Sequence, residues 1–191
     1  MLLKACVNGA RRPAEHPALP VTPAALAQDV ARVVAAGVGA VHLHAKDNQG
    51  ADTLGGAELA AVLAAVRAAA PALPIGATTG AWAVPDPCER VAAIRLWTAL
   101  PDFASVNWHE TGADDVATAL LERGVGVEAR LWHADAVEAW LASPHRDRCR
   151  RVLLELPDGL DPVGAEADRL LAQVSAGAGD RIPVLLHGGS S

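Results

Sequence analysis

TPAALAQDVARVVAAGVGAVHLHAKD, residues 22–47, contains the pattern of an α-helix followed by a β-strand. Thr22-Pro23 is typical of a helix N-cap and first helical position, and Gly37 is typical of a helix end. The Ala-rich residues 24–36 between them are predicted to be helical. Residues 39–44 then form an apolar run, which predicts a strand covered on both faces.

The same alternation of strand and helix continues along the chain. Apolar runs predict seven strands, at residues 2–7, 39–44, 74–78, 103–107, 125–131, 151–156 and 183–187. Helical patterns lie between them, at residues 24–36, 56–70, 86–96, 112–123, 134–141 and 162–176. Such alternation predicts an α/β fold with parallel strands. Because no G-x-G-x-x-G motif follows the first strand, we favour a (β/α)8 TIM barrel over a dinucleotide-binding sheet.

The predicted barrel is one strand short. Eight strand–helix units close such a barrel. This sequence stops immediately after the seventh predicted strand, at residues 187–191. We therefore expect residues 1–191 to form a single barrel domain that lacks its last helix–strand–helix portion. The expectation fails if mass spectrometry shows that the intact gene product ends at Ser191.

Composition favours a protein that acts on small molecules. Half of the residues (51%) are hydrophobic, and 16 Lys and Arg against 22 Asp and Glu give a formal charge of -6. No basic surface is therefore expected for nucleic acid or an anionic membrane. The three cysteines are far apart, and no targeting or membrane-spanning segment is recognisable. We expect a cytoplasmic location.

The motif Val41-His42-Leu43-His44 suggests a metal site. Alternate residues of a strand face the same side, so both imidazoles can bind one ion, at the strand end where barrel enzymes have their active sites. Alternatively, the two histidines only satisfy a polar barrel mouth. We predict a catalytic role for Asp47, which could hydrogen-bond a ligand imidazole or a substrate amine; alternatively, it only opens the turn before Gly50.

Other polar residues at strand ends are candidates for the same site. Glu128 is a charge inside an apolar run, which suggests a catalytic residue in contact with a metal, a cation or a substrate; a salt bridge to Arg130 or Arg11 is the alternative. Arg11 could bind a substrate carboxylate or be an ordinary exposed cation. The remaining candidates for substrate binding are Thr78, Thr79, Ser105 and Asn107, with His187 on the last strand.

Several motifs in this order resemble the beta-keto acid cleavage enzymes, a family that includes 3-keto-5-aminohexanoate cleavage enzyme. They are Asn8-Gly9-Ala10, His16-Pro17-Ala18-Leu19-Pro20-Val21-Thr22-Pro23, Ala36-Gly37, Val41-His42-Leu43-His44-Ala45-Lys46-Asp47, Thr78-Thr79-Gly80, Ala104-Ser105-Val106-Asn107 and Val127-Glu128. The resemblance extends over essentially the whole chain.

The resemblance implies a zinc-dependent (β/α)8 enzyme that condenses a β-keto acid with acetyl-CoA as co-substrate, giving acetoacetate and a new acyl-CoA. His42 and His44 would then be zinc ligands, Thr78 and Ser105 substrate-contacting hydroxyls, and Glu128 part of the polar network of the site. We also expect a homo-oligomer. Zinc would act as a Lewis acid toward the keto acid.

Two positions depart from the family pattern. The family's third zinc ligand is a glutamate in an R-x-G-x-E-D segment, which residues 1–191 do not contain. Arg11 stands where characterised members can carry a glutamate that recognises the substrate's amino group. Because a cation there would repel an amine, we expect a keto acid with a neutral or anionic distal group.

Two other functions stay open. Metal-dependent hydrolases of the amidohydrolase type also use His-x-His in a barrel, but normally on the first strand, which here ends in Asn8. A barrel that binds a ligand without catalysis is the other alternative, because the third metal ligand is missing from the sequence. Metal analysis of the full-length product discriminates the second alternative, because no bound zinc and no thioester turnover would favour a non-catalytic binding protein.

Overall fold

The computed structural model describes residues 1–156 and 163–188, in which seven strands alternate with six α-helices. The strands are β1 (Lys4–Cys6), β2 (Ala40–Leu43), β3 (Ile75–Thr78), β4 (Phe103–Asn107), β5 (Gly126–Leu131), β6 (Arg151–Leu156) and β7 (Val184–Gly188). The helices are α1 (Pro23–Ala35), α2 (Gly56–Ala69), α3 (Pro87–Arg95), α4 (Ala113–Glu122), α5 (Ala134–Ala142) and α6 (Val163–Ala178). Short 3-10 helices cover Arg146–Arg148 and Gly179–Arg181.

The predicted order of strands and helices is confirmed, and the helix signals act as expected. Thr22 is the N-cap of α1, where its hydroxyl accepts the Ala25 N–H at 3.2 Å. Gly37 follows the helix with a φ of 92°, a left-handed conformation that glycine adopts at low cost. The predicted start of the last helix, Pro162, lies outside the described residues.

The chain divides into two compact units, of which the first is Met1–Ala104. Here β1 pairs with β2 and β2 with β3, all parallel. Leu26 and Val30 of α1 and Leu63 of α2 are buried, and these two helices pack against each other. Parallel strands joined by helices put the carboxyl ends of β1, β2 and β3 at the same edge.

The second unit is Ser105–Ser191, so β4 begins in the first unit and ends in the second. Within the second unit β5 pairs with β6 and β6 with β7, again parallel. Trp140 of α5 and Leu170 and Val174 of α6 are fully or almost fully buried. Their apolar area stabilises this unit by excluding water from the strands they cover.

The α/β class is thus confirmed, while the closed eight-stranded barrel stays a prediction. Seven strands are found among the described residues. Within those residues no helix is both long and apolar enough to cross a membrane. The three cysteines are not paired in disulfides.

Candidate functional site

His42 and His44 lie together at the carboxyl end of β2, in the first unit. Their exposed fractions are only 5% and 3%, and their ring centroids are 5.2 Å apart with the planes 78° to each other. The two rings share a side because residues i and i+2 of a strand point the same way. The two imidazoles therefore lie close together, and their predicted role as metal ligands stays a prediction.

Asn8 fixes the backbone of His44. Its side-chain oxygen accepts the His44 N–H at 2.9 Å, and its side-chain amide donates to the His44 carbonyl at 2.8 Å. Cys6 is the register partner of His42, so Asn8 at the end of β1 lies beside His44. A buried amide that uses both of its groups in this way holds the strand end rigidly.

Asp52 is the carboxylate that contacts the histidine pair. One oxygen lies 2.6 Å from His44 Nδ1 and also accepts the Trp82 indole N–H at 2.6 Å. The other oxygen accepts the Lys46 ammonium at 2.5 Å. We name His42, His44, Lys46, Asp52 and Trp82 the His42 cluster.

Lys46 is the charge partner of Asp52 in this cluster. Its side chain is fully buried and also donates to the carbonyls of Gly9 and Arg11, at 2.9 and 2.7 Å. Three acceptors thus take the three ammonium protons. The lysine thereby ties the loop after β1 to the Asp52 carboxylate and offsets the cost of burying either charge alone.

The protonation states in the His42 cluster follow from these contacts. Burial by itself would raise the pKa of Asp52, but hydrogen bonds and charge from His44, with hydrogen bonds from Lys46 and Trp82, hold that pKa below its usual value. An ionised carboxylate can only accept, so His44 Nδ1 carries the proton. The lone pair of a neutral His44 is then on Nε2, as metal binding requires.

Trp82 covers one side of this cluster. Its ring stacks on that of His44, with centroids 6.0 Å apart and planes 17° to each other. Gly80 makes room for it, because a Cβ at that position would lie 2.2 Å from the indole. Thr78 and Thr79, predicted to bind substrate, are both buried at the end of the neighbouring strand β3.

Asp47 and Arg11 are placed differently from the histidines. One Asp47 oxygen accepts the N–H groups of Gln49 and Ala51, at 2.8 and 2.9 Å, which are contacts of a turn. The carboxylate hydrogen-bonded to His44 is that of Asp52. Arg11 is half-buried, and its carbonyl accepts from Lys46. The predicted catalytic and substrate-binding roles of these two residues stay predictions.

In the second unit, Ser105 and Asn107 are buried on β4 and share a face of that strand. The Asn107 amide donates to Glu110 at 2.7 Å, and its oxygen accepts the Trp132 indole N–H at 3.3 Å. Arg130 lies 4.9 Å from the centroid of the Trp132 ring, a cation–π contact.

A three-residue cluster of Arg130, Glu155 and His187, here the Glu155 cluster, lies toward the carboxyl ends of β5, β6 and β7. Arg130 donates to both Glu155 oxygens, at 2.9 and 2.7 Å, and His187 Nδ1 lies 2.8 Å from one of them. Burial would raise the pKa of Glu155, but the bonds and charges of His187 and Arg130 lower it from 4.5 to about 2. Glu155 is therefore an anion at neutral pH.

Glu128 has a partner that the sequence analysis did not name. It is fully buried and accepts from Arg151 Nε at 2.5 Å, whereas Arg130 binds Glu155. The reason is strand register: Glu128 is directly opposite Arg151, and the Arg130 side chain extends to Glu155, two residues beyond its own register partner Leu153. The predicted catalytic role of Glu128 stays a prediction.

The His42 cluster contains two candidate metal ligands. His42 and His44 present paired imidazoles, and Asp52 holds the His44 ring in the tautomer that leaves Nε2 for an ion. Among residues 1–156 and 163–188, no group of three or more His, Cys, Asp or Glu is arranged to hold a metal. The pair fits a zinc ion that takes its further ligands from other groups.

Residues 1–143 match the family model described as beta-keto acid cleavage enzyme. The chain belongs to the beta-keto acid cleavage enzyme family. No curated protein sequence matches it significantly.

Solved structures similar to this family member are distant in sequence. Mandelate racemase/muconate lactonizing proteins from Roseiflexus sp. and Herpetosiphon aurantiacus are each 13% identical to it, with TM-scores of 0.55 and 0.59. The whole chain is covered, but only 49% and 47% of those proteins. A binary complex of ObcA with oxaloacetate is 14% identical, with a TM-score of 0.57, and the match covers 90% of this chain and 57% of ObcA. These likenesses support a TIM-barrel-like fold, and the chain spans about half the length of those structures.

Sequence reasoning missed Asp52, Lys46 and Trp82. The turn at residues 47–50 reverses the chain, and Lys46 and Asp52 form an antiparallel bridge across it. Asp52 therefore lies next to His44 in space. Gly50, with a φ of 77°, completes that turn. The turn motif was visible in the sequence, and pairing the residues on either side of it would have pointed to Asp52.

Proposed function

We propose that this family member contributes to a zinc-dependent enzyme that condenses a β-keto acid with acetyl-CoA, releasing acetoacetate and a new acyl-CoA. The observation that carries the proposal is the buried pair His42 and His44, whose second ring is held by Asp52. Two imidazoles with a carboxylate behind one of them are a common arrangement in zinc sites. The family match supports the class of substrate.

Zinc bound at this pair would act as a Lewis acid toward the keto acid. The protein's own residues hold and orient: Asn8 fixes the His44 backbone, and Asp52 keeps the Nδ1 proton on the ring. Lys46 holds the Asp52 carboxylate in place by a buried ion pair. A carboxylate fixed in this way keeps its contact with the imidazole. The ring therefore stays oriented toward the metal ion.

Thr78 and Thr79 are proposed to contact the substrate in the first unit. The Thr78 hydroxyl oxygen accepts the Gly80 N–H at 3.3 Å, which orients it. Its hydroxyl hydrogen can then be donated to a carbonyl or carboxylate oxygen. Hydrogen bonds aimed where negative charge develops lower the barrier of carbon–carbon bond cleavage. In the second unit, Ser105 and Asn107 are proposed to bind the substrate and Glu128 to act in catalysis.

We further propose a keto acid whose distal group is neutral or anionic. Arg11 supports this, since a guanidinium attracts a carboxylate and repels an ammonium. ObcA, at 14% identity, forms a binary complex with oxaloacetate, and a ternary complex of ObcA holds a C4-CoA adduct and oxalate. These ligands of ObcA belong to the proposed substrate classes, which are keto acids and CoA thioesters.

The test is an assay of the intact gene product with acetyl-CoA and three keto acids that differ in distal charge. Acetoacetate and a new acyl-CoA should form from 3-oxoglutarate or 3-oxohexanoate rather than from 3-keto-5-aminohexanoate. Arg11→Glu should reverse that preference. Turnover of the amino-bearing compound alone would contradict the assignment of Arg11, and no acetoacetate from any of them would contradict the activity.

A further inference from the structure

A cavity of about 330 Å³ lies in the second unit, at the amino ends of β6 and β7. It is lined by the segment before β6, which includes Arg146 and Arg150, and by Arg181 before β7. Glu155 and His187 are near the carboxyl ends of the same two strands. The cavity is therefore separate from the Glu155 cluster, and its volume is at the lower end of the range for small-molecule sites.

The lining of this cavity is rich in positive charge. Arg146, Arg150 and Arg181 line it together with the acidic residue Asp147, which accepts from Arg146 Nε at 3.2 Å. Cys149 also lines the cavity, and burial raises the pKa of its thiol to about 11. The thiol is thus neutral at physiological pH and adds no negative charge.

The geometry of the cavity suits an anion that carries several oxygens. A terminal nitrogen of Arg146 donates a hydrogen bond to the Leu141 carbonyl at 3.2 Å. Because this bond already orders the side chain, Arg146 loses less conformational entropy when a ligand binds. Guanidinium groups bind phosphate oxygens in a bidentate manner, and a phosphate can engage more than one arginine. Trp140, Ile182 and Pro183 supply apolar walls for an attached organic group.

We propose that this cavity is a binding site for a small phosphate-bearing molecule, distinct from the keto-acid site of the His42 cluster. Its ligand class is set by the three arginines, and its size admits a phosphorylated metabolite rather than a polymer. The proposal concerns only residues of the second unit and does not depend on the proposed activity.

Titration calorimetry of the full chain with inorganic pyrophosphate tests this proposal. Arg150→Ala and Arg181→Ala should each weaken binding about tenfold or more, the loss expected for one charged hydrogen bond. Arg148→Ala is the matched control, because Arg148 is an exposed arginine of the same segment that does not line the cavity. Its pyrophosphate affinity should stay within about twofold of the parent protein.

Two results would overturn the proposal. One is equal weakening by Arg148→Ala, which would show that pyrophosphate follows general surface charge. The other is the absence of saturable binding by the parent protein. Thermal unfolding of each variant without ligand separates loss of binding from loss of folding. Arg150 and Arg181 are both exposed, so we expect both variants to fold.

Discussion

At the scale of single residues, the candidate site depends on a carboxylate that sequence motifs did not single out. Asp52 is 4% exposed in its side chain and receives donors from His44, Lys46 and Trp82. An anion buried so deeply is stable only with such partners. We propose that its role is to hold the His44 ring in one tautomer, because the carboxylate accepts the Nδ1 proton.

Asp52→Asn tests this positioning role. The amide keeps the size of the side chain but cannot act as a charged acceptor for His44 Nδ1. We expect the affinity for zinc to fall about 10- to 100-fold, as for other changes behind a metal-bound histidine. Competition with a chromophoric chelator measures the affinity, and circular dichroism confirms that the variant is folded.

The matched control is Asp47→Asn, five residues away on the same loop. Asp47 accepts backbone N–H groups of the turn, and an asparagine oxygen can do the same. Its zinc affinity should equal that of the parent protein. If Asp47→Asn lowers the affinity and Asp52→Asn does not, Asp47 is the residue behind the metal and the role assigned to Asp52 is wrong.

Glu155 predicts a pH dependence of stability. Its pKa is lowered on folding, from 4.5 to about 2, so its stabilising effect is complete above pH 4.5 and is lost as the pH falls toward 2. The difference in pKa corresponds to about 3 kcal/mol at neutral pH. Glu155→Gln should therefore unfold more easily than the parent protein at pH 7.

Urea unfolding between pH 7 and pH 3 measures this effect. The difference in unfolding free energy between parent and Glu155→Gln should shrink once the pH is below about 4.5. Glu166→Gln is a control, because Glu166 pairs with Arg169 on the exposed surface of α6 and water screens that pair. A difference for Glu155→Gln that is constant with pH would contradict the ion-pair account.

At the scale of strands and helices, much was predictable from sequence. β4 and β6 have the predicted bounds, and the Thr22 and Gly37 signals mark the ends of α1. Apolar runs and caps are local properties, which explains this agreement. The pairing of Glu128 with Arg151 was not predictable, because the register of two parallel strands depends on the helix and loops between them.

Gly76 on β3 shows how closely the first unit is packed. A Cβ at this position would lie 2.1 Å from the Phe103 ring, which is fully buried on β4. Gly76→Ala should therefore destabilise the protein by about 1–3 kcal/mol, because the ring must move within a packed core. Thermal or urea unfolding measures the change.

Gly164→Ala on α6 is the control for that substitution. No atom lies within 4 Å of its added Cβ, and alanine is the better helix former. Its stability should be unchanged or slightly higher. Equal destabilisation by the two substitutions would mean that contact with Phe103 is not what Gly76 avoids.

At the scale of the whole molecule, family membership was predictable from motifs that are spread over the chain. The family match covers residues 1–143, which includes every proposed site residue of the first unit and the candidates on β4 and β5. The Glu155 cluster was not predictable, because it joins residues of three strands whose distance in space follows only from folding. The motifs therefore predicted the family, whereas the hydrogen-bond partners of the buried charged residues follow from the fold.

The central claim is that His42 and His44 hold a zinc ion. Elemental analysis of the purified intact gene product tests it most directly, beside His42→Ala, His44→Ala and the control His16→Ala, whose histidine is exposed. We predict bound zinc in the parent protein and in His16→Ala. We predict that His42→Ala and His44→Ala lose the zinc. Zinc retained by His42→Ala and His44→Ala, or absent from the parent protein, would contradict it.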